Sequence, residues 1–97
     1  MRWKWPLLEG ARDLAAAGFI TGASGRNWAS YGRDVALARE MTAIDQALLC
    51  DPQTSGGLLV ACAPSSVAGV LEVFRGQGFD AAVIGRVDEG EAGLSVA

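Results

Sequence analysis

Residues 48–63 read LLCDPQTSGGLLVACA. Two apolar runs flank a polar loop made of Asp51, Pro52, Gln53, Thr54, Ser55, Gly56 and Gly57. Pro52 fixes its own φ and keeps Asp51 out of the helical region, so a helix arriving from upstream must stop near Cys50. The run 57–63 is short, continuously apolar and bounded by turn residues, which is the pattern of a buried strand. The stretch therefore predicts a helix, a sharp loop and a core strand in succession.

Upstream, Thr42 is placed to cap a helix over 43–49, and the charge of Asp45 favours its start. Pro6 suits a first helical turn, and Leu7, Leu8, Ala11, Leu14 and Ala15 form a 3.6-period stripe. Together with a stop at Gly18 they predict a helix over 7–17. Residues 19–21 read as a short extended piece, 22–32 as an irregular loop and 34–39 as a helical turn. Downstream, Pro64 and Ser65 open a helix carrying Val67, Val70, Leu71 and Phe74 on one face, ended by Gly76 and Gly78. Residues 81–87 (AAVIGRV) read as a strand. After a turn at Glu89, Gly90 and Glu91, residues 93–96 read as an edge strand closing a hairpin. The expected fold is α+β, a small mixed or antiparallel sheet with helices packed mainly on one face.

Composition narrows the function classes. The 97 residues allow one domain, 1–97, and the formal charge of −3 with scattered basic residues argues against a nucleic-acid surface. No apolar run reaches the ~18 residues of a spanning helix. The N-terminal segment shows no signal-peptide pattern, so no membrane partner and a cytoplasmic location are expected. With no histidine and no CxxC, a zinc site or a Ser-His-Asp device is not expected. Cys50 and Cys62 read as buried, reduced and unbridged thiols. The chain is 51% hydrophobic and only 20% charged, with a mean hydropathy of +0.25. Such a balance fits a surface meant for a partner, for a second copy or for a missing part of the same polypeptide.

Two loops carry the candidate binding residues. Thr54 and Ser55 bring hydroxyls, while Gly56 and Gly57 let backbone N–H groups approach an anion or take φ > 0. A strand rather than a helix follows, and G-x-x-x-x-G-K-[ST] is not matched, so this is not a P-loop. The other reading is a tight loop feeding a buried strand. In TGASGRNWASYG (21–32), Arg26 offers a planar fork for phosphate or carboxylate, and Asn27 can instead hold its own turn. Trp28 and Tyr31 suit stacking on a base, or anchoring the loop to the core. Trp3 and Trp5 read as interface or cut-surface residues.

Taken together, LLCDPQTSGGLLVA and TGASGRNWASYG resemble the C-terminal part of the selenophosphate synthetase (selenide, water dikinase) family. The spacing of PLLEGARDLAAAG and AAVIGRV extends the resemblance over 7–87. It implies the aminoimidazole ribonucleotide synthetase-like fold and an ATP-dependent reaction that makes selenophosphate, AMP and phosphate from ATP, selenide and water, with magnesium. The reactive Cys or selenocysteine, its neighbouring Lys and the metal-binding Asp residues of that family lie upstream of anything present here. No catalytic or metal-binding residue is therefore carried over, neither Cys50 nor Asp51. The resemblance implies that 1–97 is a partial domain, inactive alone, with no cofactor of its own. The homodimer-forming N-terminal ATP-binding domain is then its missing partner, and self-association of the exposed apolar surface is expected. The alternative is a free-standing, non-catalytic interaction or dimerisation module. A hydrogenase-maturation or thiamine-phosphate kinase relative is disfavoured by D-P-Q-T-S-G-G.

Overall fold

The computed structural model describes residues 5–97, so the reading of Trp3 lies outside the described residues. Helix α1 spans Ala11–Ala16, α2 Gly22–Tyr31, α3 Ala43–Leu49 and α4 Val67–Gly76; strand β1 spans Val35–Leu37 and β2 Leu94–Val96. Short 3-10 turns occupy Gly32–Asp34 and Pro64–Ser66. The α+β class holds.

Helix α3 starts where the sequence places it. Thr42 Oγ1 accepts from the Asp45 N–H at 3.2 Å, and Asp45 Oδ2 accepts from the Thr42 N–H at 2.8 Å, a reciprocal capping box. Two glycine stops also form as expected. Gly18 (φ +97°) and Gly78 (φ +82°) take the left-handed conformation. In each case the next residue's N–H reaches back five positions, Phe19 to the Leu14 carbonyl and Phe79 to the Phe74 carbonyl. These are Schellman closures, which spare the last carbonyls of α1 and α4 from going unpaired.

Four expectations need correction. Helix α1 is shorter than 7–17, because Gly10 sits at φ +80° just before it and breaks the apolar stripe. The expected loop 22–32 is α2, started by Thr21, whose hydroxyl accepts from the Ser24 N–H at 3.3 Å. The expected helical turn 34–39 is instead the end of a 3-10 turn followed by β1. Finally, 93–96 does hold a strand, but β2 pairs in parallel with β1, Val35 opposite Leu94 and Leu37 opposite Val96. The two strands are far apart in sequence, and turn signals near Gly90 carry no information about that partner.

The runs 57–63 and 81–87, expected as strands, belong to no ladder among the described residues. Their side chains are largely uncovered, Leu58 at 81% and Leu59 at 83% exposure. The buried apolar residues are Ala15, Cys50 and Val96, so the core sits among α1, α2, α3 and the strand pair. The radius of gyration is 14.9 Å, against about 12–13 Å for a compact domain of this length. No helix among the described residues is long and apolar enough to cross a membrane.

Arg12 on α1 donates from Nη1 to Asp45 Oδ1 at 2.6 Å, tying α1 to the start of α3. The Thr42 backbone N–H, then Arg12, hold the Asp45 carboxyl at about 2, below its ordinary 3.8. A depressed carboxyl stabilises the fold fully above its unfolded pKa and loses that contribution as pH falls through the folded one. Asp45→Asn is expected to cost about 2 kcal/mol at pH 7. The gap between wild type and variant should close between pH 5 and pH 2, as read from chemical denaturation midpoints across that range.

Candidate functional site

Asp51–Gly57 leaves the C-terminal end of α3, and every residue in it is exposed. Cys50 closes α3, its N–H reaching the Gln46 carbonyl at 3.1 Å. The Gln53 side-chain amide donates to Asp51 Oδ2, which stiffens the loop's first half. Among the described residues, the hydroxyls of Thr54 and Ser55 hydrogen-bond to no protein group and remain available to a ligand.

Glycine behaves differently from expectation in this loop. Neither Gly56 nor Gly57 takes a positive φ. A Cβ on Gly57 would meet nothing within 4 Å, whereas one on Gly56 would lie 3.1 Å from the Gln53 Cβ. Gly56 alone is therefore restricted by its surroundings, and by an exposed side chain that can shift.

Helix α2 brings one of the two basic-loop candidates to the site. The Asn27 amide donates to the Cys50 carbonyl at 2.8 Å, where the loop begins. Its role is a tie between helices rather than a local turn of its own. Arg26, one position earlier, folds back along α2, with its guanidinium 3.2 Å from the place a Gly22 Cβ would occupy. It is exposed and makes no ion pair among the described residues. The structure thus places Asn27 at the base of the loop and joins neither Arg26 to Thr54 nor Arg26 to Ser55.

Trp28 is an anchor. Its ring covers Gly32, where a Cβ would lie 2.6 Å from the indole. Tyr31 lies beside Cys50, and the thiol, with partial burial, raises the phenol above its ordinary pKa of 10.0. Both cysteines are free; Cys50 is buried as expected, but Cys62 is exposed, because the run that carries it is uncovered. Trp5 is half-buried and lines a cleft with Leu7, Arg12, Met41, Asp45 and Leu49, so it faces inward rather than lying on a cut surface. That cleft holds about 30 Å³, far below the ~300 Å³ at which small-molecule pockets begin. Among the described residues no three His, Cys, Asp or Glu side chains converge as a metal-binding group.

The sequence reading missed Arg12 and the α2 cap. Thr21 followed by Ser24 was the available signal for the cap; nothing local linked Arg12 to Asp45.

An α+β fragment with an exposed hydroxyl- and glycine-bearing loop between a tied helix and an uncovered apolar run agrees with the comparisons. Residues 7–96 match the family "AIR synthase related protein, C-terminal domain", and the chain belongs to that family. Within it, the chain is similar to "Selenide, water dikinase" of Burkholderia orbicola (strain MC0-3), 59% identical over 93 residues that cover 95% of this chain and 26% of the relative. It is similar to the proteins of the same name from Dechloromonas aromatica (strain RCB), 54% identical over 94% of this chain and 26% of the relative, and Rhizobium meliloti (strain 1021), 51% identical over the same shares. The chain therefore spans about a quarter of the length of these curated relatives. No solved structure matches it. The resemblance carried by the two loops is borne out.

Three variants read the local constraints. Gly32→Ala should cost about 1–3 kcal/mol, because the Trp28 ring must move. Asn27→Ala should cost about 1–3 kcal/mol, because it leaves the Cys50 carbonyl unpaired. Gly57→Val should stay within about 0.5 kcal/mol of wild type. Thermal melts of all three provide the check, and a large loss for Gly57→Val would show that its surroundings are tighter than described.

Proposed function

We propose that the chain serves as the C-terminal portion of an ATP-dependent selenophosphate synthetase and is inactive without the rest of that enzyme. The observation that carries this reading is 59% identity over 95% of the chain to a selenide, water dikinase about four times its length. The proposed reaction takes ATP, selenide and water to selenophosphate, AMP and phosphate, in the cytoplasm, in a homodimer built by an upstream ATP-binding domain.

The chemistry of the described residues supports a division of labour. The described part of this chain offers no cluster of carboxylates for magnesium, so the residues that hold the metal and the triphosphate belong to the upstream part. Magnesium, when bound there, would neutralise phosphate charge. This chain supplies a loop whose hydroxyls and amides line the cleft edge. Thr54 and Ser55 offer O–H donors, and Gly56 and Gly57 keep side chains away from the backbone N–H groups. Arg26 and Asn27 stand behind the loop, Asn27 as the tie that fixes its origin. Without the upstream part, the exposed apolar side chains drive the isolated chain to self-associate.

The test joins this chain to the upstream portion of the Burkholderia orbicola enzyme in place of the matching residues. The joined protein should form AMP from ATP in a selenide-dependent reaction, and the isolated chain should release no phosphate above a protein-free blank. Thr54→Ala with Ser55→Ala should lower turnover of the joined protein by roughly tenfold, the loss of about 1.4 kcal/mol of ligand contact, while leaving its melting temperature within a degree or two. Phosphate release by the isolated chain, abolished by a substitution within it, would overturn the reading. Sedimentation of the isolated chain should show species above the monomer at micromolar concentration.

A further inference from the structure

We infer that residues 57–62 and 81–87 are interior strands of a sheet whose remaining strands are supplied by the polypeptide upstream of this chain. The inference rests on the reading of the chain as part of a longer synthetase-like protein.

The backbone carries the first argument. Among the described residues, no backbone–backbone hydrogen bond involves 57–62 or 80–88. A strand leaves one N–H and one C=O per residue to be paired, and apolar segments in that state are templates for strand addition. The side chains carry the second. Leu58 and Leu59 are adjacent, so in an extended chain they point to opposite faces, and both are more than four-fifths exposed. Apolar residues on both faces of a strand suit a sheet that is covered on both sides. An edge strand with one wet face would alternate polar and apolar residues, which GLLVACA does not. Val83, Ile84 and Val87 repeat the pattern in the second run, with Val87 at 87% exposure.

Area decides the kind of occupant. The chain exposes 8053 Å², whereas a compact monomer of its mass would expose roughly 5,200 Å². The excess of roughly 2,800 Å² is several times the ~800 Å² that one partner contributes to a standard interface. A surface of that extent is a core left open rather than a docking patch. The relatives carry about three quarters of their length beyond the matched segment, since it covers 26% of them, and that is ample chain to close it. A second copy of this chain would bring the same unpaired runs and no additional covering layer.

Amide hydrogen exchange on the joined protein described above, compared with the isolated chain, tests the inference. Amides of 57–62 and 81–87 should exchange roughly 100-fold more slowly in the joined protein, and Val60→Pro, which removes a ladder donor, should abolish that protection for 57–62. Equally fast exchange in both proteins overturns the inference, even if the joined protein makes selenophosphate and the functional reading stands. Slow exchange in an inactive joined protein supports the inference while the functional reading fails. Protection that appears in the isolated chain as its concentration rises, and is unchanged on joining, names a second copy as the occupant and also overturns it.

Discussion

The Asp45 carboxylate holds the ordered half of this chain together. Only 6% exposed, it accepts from the Thr42 backbone N–H, the Thr42 hydroxyl and the Arg12 guanidinium. A carboxylate so far from water is tolerable only when its lone pairs are used, and here both oxygens are. The arrangement works in two directions. Locally it begins α3, and at long range it fixes α1 against that start. The other end of α3 is tied just as specifically, through the Cys50 carbonyl to Asn27 on α2. Helix α3 thus acts as a strut with a polar joint at each end, and Asp51–Gly57 departs from the second joint.

How much of this was legible in the sequence follows from the range of each interaction. Thr42, Asp45 and Pro52 act within a few residues of themselves, and α3 was read from them with its bounds intact. Gly18 and Gly78 close helices by local Schellman bonds and were equally readable. Helix α2 was not, because Gly22, Ser24, Gly25 and Ser30 are weak helix formers. What stabilises it is a cap at Thr21, the packing of Trp28 over Gly32 and the distant bond from Asn27, of which only the cap leaves a short-range trace. The pairing of β1 with β2 was beyond reach for the same reason. Apolar periodicity reports that a residue is covered, not which segment covers it.

The candidate site divides along the same line. Proline, hydroxyls and glycines marked 51–57 as a loop, and a loop is what forms. The expectation that Gly56 and Gly57 need positive φ came from composition, and composition cannot distinguish a glycine kept for its dihedrals from one kept for clearance. The positive φ values fall at Gly10, Gly18, Gly78 and Gly90 instead, where the chain must turn or leave a helix. Asn27 was noted as polar and loop-borne, but its partner lies 23 residues away, on an element whose position depends on Asp45.

These two kinds of order meet at the loop. On its N-terminal side the backbone is fixed by the Asn27 bond and the end of α3. On its C-terminal side it runs into an apolar segment that nothing among the described residues covers. A ligand-binding loop held at one end samples many arrangements, and each arrangement not suited to the ligand weakens apparent affinity. If the run 57–62 is locked into a sheet by upstream chain, the second end becomes fixed, and Thr54 and Ser55 are held between two rigid elements. On the readings proposed above, completing the fold and preparing the cleft edge are then a single event. The loop needs no tight packing of its own to be ordered in the whole enzyme, which fits the open space around Gly57 and the unbonded hydroxyls beside it.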